Sequence, residues 1–312
     1  MDALTDLLDG PRARGAFLLR TMLDPPWSMR IADQAPVCLM ALVRGTVWVT
    51  YDGGEPVRMD AGDVAIARGT GGYVVADDPA TPPQVLIHRD NSCTTLYGEP
   101  LMESMSLGVR TWGNSPAGRD ILLIGTYQAR VELTNRLLAA LPPLLVLRDA
   151  EWDCALVPLL AEEIVKDDPG QGAVLDRILD LLMIAVLRAW FSREEAESTG
   201  WFRAHADPVV GPALELMHQN PAFPWTIAAL ASKVGVSRAS LSSRFAKLLG
   251  EPPMTYLTGL RLAEAADLLR ESDATLESVA RQVGYGTAFA LSAAFKRERG
   301  VSPQEFRSRV PA

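Results

Sequence analysis

The sequence predicts an α+β protein of two domains: an N-terminal β-barrel or sandwich that ends in helices, then an all-α domain. Three observations predict it. Short β-rich runs with Gly, Asp and Pro turns between them occupy residues from about 15 to 130. Helical patterning replaces them from about 132 to 192, and again from 208. The last hundred or so residues also carry one helical design written twice. With 312 residues, 48% of them hydrophobic and 22% charged, the chain can fill two cores, and gross disorder is excluded.

The β-rich runs come first. VCLMALV (37–43) and TVWVTY (46–51) flank Arg44-Gly45, and Asp52-Gly53-Gly54 is a hairpin turn signal. PVRMD leads to the turn Asp60-Ala61-Gly62-Asp63 and then to VAIA. VLIH (85–88), CTTLY (93–97) and ILLIGTY (121–127) follow. The helical stretches are 133–141, stopped by Pro142-Pro143, then 154–166 and 173–191, separated by the breaker Asp167-Asp168-Pro169-Gly170. Residues 193–207 are polar and weakly periodic, and are expected to be a linker between domains 1–192 and 208–312.

Charge and cysteine usage narrow the function classes. The net charge is −8, yet residues 211–312 hold 12 basic and 9 acidic groups, a net of +3. The 18 basic and 29 acidic groups of residues 1–210 give −11 there. A mildly basic module behind an acidic one fits a nucleic-acid reader attached to something that does not touch nucleic acid. Cys38, Cys93 and Cys154 are too few to be a disulfide framework. The N-terminus lacks a signal-peptide layout, and Asp176, Arg177, Asp180 and Arg188 interrupt the most apolar stretch, 173–191. A cytoplasmic protein with no membrane partner is expected.

The duplicated design is a helix-turn-helix. Such a unit needs a small residue where its helices cross, a turn residue tolerant of positive φ, and an apolar set shared by both helices. Residues 226–249 supply Ala231, Gly235 and the set Ile227, Leu230, Val234, Val236, Leu241 and Phe245, with Ser237 placed to cap the second helix. Residues 275–299 supply Ala280, Gly284 and the set Leu276, Val279, Val283, Tyr285, Leu291 and Phe295. The second turn is one residue longer. Between the units, 252–272 reads as a long helix whose Leu257, Leu260, Ala265, Leu268 and Leu269 can touch both.

Residues 208–309 resemble the DNA-binding domain of AraC/XylS-type transcriptional regulators. The stretches WTIAALASKVGVSRASLSSRFAKLLGEPPMTYL, RLAEAADLL and VARQVGYGTAF…FKRERGVSPQEFR carry the likeness. The front part, including GEPVRMDAGDVAI, TTLYGE, LLAALPP and VLDRILDLLMIAVLRAW, resembles the cupin-type N-terminal domain of one branch of that family. The resemblance implies a cupin-like β-barrel, a homodimer, promoter DNA as partner and RNA polymerase as a further one. It implies that the second helix of each unit enters a major groove. The implied DNA-contacting positions are Ser237, Arg238, Ala239, Ser242, Ser243, Arg244 and Lys247 in the first unit. In the second they are Thr287, Ala288, Phe289, Ser292, Ala293, Lys296 and Arg297. Family members often carry Arg or Gln on this face. Ala, Ser and Phe cannot make bidentate base contacts, though they can touch a thymine methyl.

Many cupins hold a metal with several His and a carboxylate. Here only His88 of three His falls in the barrel region, and RGTGGYVV offers Gly72 and Tyr73 where many cupins place a ligand His. No metal site, cofactor or catalytic residue is expected. An interior pocket for a small-molecule inducer is the default, with Met40, Trp48 and Tyr73 as candidate lining residues. Cys38 and Cys93 are candidate redox sensors, more simply read as buried apolar-like thiols. The expected function is sequence-specific transcription control, by activation, in response to an inducer. Three alternatives stand beside it: an oxidant-sensing regulator, a cupin enzyme with a vestigial DNA-binding domain, and a binding module that acts only through partner proteins.

Overall fold

A computed structural model describes residues 17–69, 71–127, 141–152, 154–193 and 200–308. The helix expected over 133–141 lies outside these, but for Leu141. The chain forms two compact units that divide at Ser192 and Arg193.

The first unit is built on two mixed sheets. One runs in the order β10 (Ser106–Gly108), β11 (Thr111–Gly113), β1 (Phe17–Leu23), β12 (Asp120–Tyr127), β3 (Val37–Arg44), β6 (Val64–Arg68), β13 (Leu144–Leu147). The other runs β5 (Val57–Asp60), β4 (Thr46–Tyr51), β7 (Tyr73–Ala76), β2 (Ser28–Ile31), β8 (Val85–Ile87), β9 (Cys93–Thr95). Neighbours are antiparallel except β1 with β11 and β2 with β8. The expected cupin-like β-structure thus takes the form of two facing sheets around one core. Alternation assigns the faces. Cys38, Met40 and Leu42 of β3 enter the core with Val47 and Val49 of β4, whereas Leu39 and Ala41 are buried on the other side of the sheet.

That other side carries two helices, α1 (Leu156–Glu163) and α2 (Gln171–Phe191). A Cβ on Gly125 of β12 would stand 2.7 Å from Leu179 of α2, and the Tyr127 hydroxyl donates to the Leu179 carbonyl at 3.1 Å. Strand β13 falls between the helices expected at 133–141 and 154–166, past the expected end of the β-region near 130. Its LLVL run is too short for periodicity to separate helix from strand, and pairing with β6 decides the matter.

The second unit is all helical: α3 (Gly200–Ala206), α4 (Val210–Gln219), α5 (Ile227–Lys233), α6 (Arg238–Leu249), α7 (Pro253–Glu271), α8 (Leu276–Gln282), α9 (Ala288–Arg299) and α10 (Pro303–Ser308). The expected linker 193–207 is corrected in its second half. There α3 buries Ala204 in the unit's own core, and Gly200 sits where a Cβ would lie 2.3 Å from the Leu248 carbonyl. Among the described residues no helix is long and apolar enough to cross a membrane.

Two cores meet along α7. Its Tyr256, Leu257 and Leu260 pack with Leu230, Ala231, Leu241 and Phe245 of the first helix-turn-helix. Leu262, Ala265, Ala266 and Leu269 pack with Val279, Ala280, Leu291 and Phe295 of the second. At 1.5 Å per residue, α7 is a strut of about 28 Å. Arg261, midway along it, donates from Nε to the Pro221 carbonyl and from its terminal guanidinium nitrogen to the Phe223 carbonyl, both at 2.7 Å.

The two turn glycines do different work. Both have positive φ, 73° at Gly235 and 82° at Gly284. Gly235 faces open space, but a Cβ on Gly284 would lie 2.6 Å from the Ala222 carbonyl oxygen of the α4–α5 loop. Gly235→Ala is therefore expected to cost only the left-handed penalty, about 1–2 kcal/mol. Gly284→Ala adds a backbone overlap and is expected to cost about 1–3 kcal/mol more. Hydrogen exchange across α5–α9 in the full chain measures the difference. Equal losses would show that the Gly284–Ala222 approach is not a structural contact.

Candidate nucleic-acid interface and interior cavity

Each helix-turn-helix starts both of its helices with a hydroxyl cap. Thr226 accepts from the Ala229 N–H, Ser237 from Ser240, Thr275 from Ser278 and Thr287 from Ala290, at 3.1–3.2 Å. The second helices, α6 and α9, are both twelve residues long, and both end on a left-handed glycine, Gly250 and Gly300. They are therefore equivalent position by position, Arg238 matching Ala288 and Ala239 matching Phe289, fifty residues on. Each buries one stripe: Leu241 and Phe245 in α6, Leu291, Ala294 and Phe295 in α9.

The opposite faces hold the residues expected from sequence. On α6, Arg238, Ala239, Ser243 and Lys247 are exposed and Ser242 is half-buried. On α9, Phe289, Ala293, Lys296 and Arg297 are exposed, with Ala288 and Ser292 half-buried. Ser237 and Thr287 sit at the helix mouths with their hydroxyls already accepting a backbone N–H. Arg244 departs from expectation. Its Nε donates to the Asp207 carboxylate at 2.8 Å, and Asp207 also accepts from the Val209 and Val210 N–H groups, both at 2.9 Å. Burial would push the Asp207 carboxyl up. The two N–H donors and the Arg244 guanidinium outweigh it and hold it below the usual carboxylate range. Arg244 thus fastens α6 to the start of α4.

Sequence reasoning passed over three residues on these faces. Ser240 and Ala290 are exposed in the first turns. Glu277 of α8 reaches the mouth of α9 and accepts from the Ala288 N–H at 3.0 Å. Ala228 occupies the equivalent place in the first unit, so lining up the two repeats would have singled Glu277 out.

In the first unit, the two sheets enclose a cavity of about 60 Å³ whose wall is almost wholly apolar. Met40 and Tyr73 line it, together with Met29, Ile31, Ile124 and Trp112. Trp48 does not. Val47 and Val49 take the inward side of β4, so alternation turns Trp48 outward. The polar groups at the wall are few. Thr21 Oγ1 is buried with no hydrogen-bond partner among the described residues, and Asp33 accepts from the Ala35 N–H at 3.0 Å. Burial raises the Asp33 carboxyl. Cys38 and Cys93 both line this cavity. Burial pushes the Cys38 thiol up to about 12 and raises Cys93 as well. His88 shares a hydrogen bond with Thr94 at 2.9 Å. Among the described residues, no group of three or more His, Cys, Asp or Glu is placed to hold a metal ion.

Residues 2–192 match the cupin family model, and residues 230–309 match the helix-turn-helix domain model. A putative AraC-like transcription regulator of Streptomyces lividans is 30% identical over 316 residues, covering 98% of both chains. The chain belongs to the AraC-like transcription regulators. It is a DNA-binding regulator and not an enzyme. The RCS-specific HTH-type transcriptional activator RclR of Escherichia coli is 30% identical over 159 residues, 51% of this chain and 56% of that protein. Among solved structures, the DNA-binding domain of AdpA in complex with a target DNA is 28% identical. It covers 33% of this chain and 91% of that one at a TM-score of 0.32.

The burial of Cys38 in this AraC-like regulator sets its reactivity. A thiol titrating near 12 holds almost no thiolate at neutral pH, and the thiolate is the nucleophile. Cys38 is expected to stay unlabelled by a thiol reagent in the folded chain at pH 7, while half-buried Cys154 reacts. Mass spectrometry of the labelled peptides checks this. Labelling of Cys38 as fast as Cys154 in folded protein would contradict it.

Proposed function

We propose that this regulator activates transcription by laying α6 and α9 in successive major grooves of promoter DNA, with α6 supplying most of the base discrimination. The observation that carries the proposal is the equivalence of the two helices: same length, a hydroxyl cap at the same place, Leu and Phe buried at the same positions, joined by one strut. The exposed chemistry then divides the labour. Arg238, Ser242 and Ser243 on α6 offer donors and acceptors to base edges, and Lys247 offers a charge to phosphate. On α9 the cations Lys296 and Arg297 lie in the last turns, at the end suited to phosphate contact rather than to base reading.

The first unit is proposed to hold a small-molecule inducer in its cavity, which is walled by Met40 and Tyr73 and carries the Thr21 hydroxyl, without a hydrogen-bond partner among the described residues. It is proposed to pair with a second copy. Val174 and Leu181, two turns apart on α2, leave an apolar strip in solvent, and RNA polymerase is the partner an activator requires. The site of action is the cytoplasm, where the promoter lies. Oxidant sensing through Cys38 or Cys93 is disfavoured by the burial that raises both thiols.

Binding of full-length variants to a randomised duplex library at two salt concentrations tests the division of labour. Arg238→Ala is expected to relax base preference over one part of the site, a loss of about 1–3 kcal/mol in discrimination. Arg297→Ala is expected to weaken all sequences alike and to lower the salt slope by roughly 1. Loss of base preference in the Arg297 variant, with preference kept in the Arg238 variant, would reverse the assignment.

A further inference from the structure

We infer that Phe289 makes the second unit a reader of thymine, recognising the C5-methyl group in the major groove by apolar contact. The inference rests on the proposal that α9 docks in that groove, and it names the base read there. Phe289 is 84% exposed in the first turn of α9. The other exposed large apolar side chain of this unit, Phe223, packs its ring on Trp225 at a centroid distance of 4.4 Å, whereas Phe289 has no ring partner among the described residues. A bare aromatic ring on a groove-facing helix end offers about the largest apolar surface a side chain can present.

The surroundings of the ring leave few other uses for it. Ala288, Ala290 and Ala293 carry no polar side-chain atom, so this end of α9 cannot form the bidentate hydrogen bonds that distinguish guanine or adenine. A phosphate is excluded as well. A free helix N-terminus attracts one through its unpaired N–H groups. Here the Glu277 carboxylate already takes the Ala288 N–H at 3.0 Å and puts a negative charge at the mouth, and the Thr287 hydroxyl takes the Ala290 N–H at 3.1 Å. The matched end of α6 has Arg238 and Ala239 in place of Ala288 and Phe289, and no carboxylate at Ala228. The two units share a serine, Ser242 and Ser292, but differ around it: α6 adds the hydrogen-bonding Arg238 and Ser243, and α9 has the apolar Ala288, Phe289 and Ala293, which suit methyl groups. In the major groove only thymine presents a methyl group on its edge.

The test uses full-length protein and the tightest duplex selected from a randomised library, made with thymidine or with deoxyuridine in the part of the site protected by α9. Uracil differs from thymine there only by the missing methyl. Wild type is expected to bind the deoxyuridine duplex about fourfold more weakly per contacted methyl. Phe289→Ala is expected to lose a similar factor on the thymidine duplex and to bind both duplexes equally, with Phe289→Leu between. Because Phe289 is exposed, the variants should melt as wild type does. Four results would overturn the inference: a selected site without thymine under α9, equal binding of both duplexes by wild type, a thymidine preference kept by Phe289→Ala, or loss of affinity in that variant with the ratio unchanged. Failure of the chain to bind any duplex would instead sink the underlying DNA-docking proposal.

Discussion

The C-terminal unit depends on α7 being buried at both of its ends. Each helix-turn-helix completes its core with residues of α7, the first together with α3 and α4. The first takes Leu257 and Leu260, the second Leu262, Ala265, Ala266 and Leu269. A helix with one half in each of two cores cannot bend freely, so the separation of α6 from α9 is set by the rise of α7 and by the packing of each unit on it. Arg261 and the close approach of Gly284 to Ala222 fix the remaining freedom of the two halves. DNA presents its grooves at a fixed repeat, and two reading helices on a rigid strut are suited to such a target.

Within that scaffold α6 and α9 carry unlike chemistry on their exposed faces. The hydroxyl caps, the buried Leu and Phe and the terminating glycines correspond, and the difference lies mainly on the opposite faces: Arg238 against Ala288, Ala239 against Phe289, Ser243 against Ala293. Arg244 illustrates how scaffold and surface compete for one residue. It lies beside the reading face, yet its guanidinium is committed to Asp207.

The C-terminal fold was legible in the sequence because its constraints are local. A small residue, a turn glycine four later and matched apolar positions define the unit, and the duplication repeats every term. What escaped was decided by partners distant in sequence. Helix α3 reads as a polar linker until Ala204 meets a core assembled from residues beyond 210. Strand β13 is a four-residue apolar run that pairs with β6 nearly eighty residues earlier. Trp48 looked like a pocket residue by type, but Val47 and Val49 own the inward register. The Arg244–Asp207 pair spans 37 positions and has no sequence signal. Met40 and Tyr73 line the cavity because both are at inward positions of their strands.

In the first unit, a single strand separates the cavity from α2. Ile124 and Thr126 of β12 line the cavity, and the intervening Gly125 and Tyr127 meet Leu179. In the second, the claim on which the rest stands is that α7 presents α6 and α9 to one face of a duplex. Hydroxyl-radical footprinting of the full chain on a selected duplex tests it most directly. Two protected patches about 10 base pairs apart on one face are expected. A single patch, or two on opposite faces, would contradict the account.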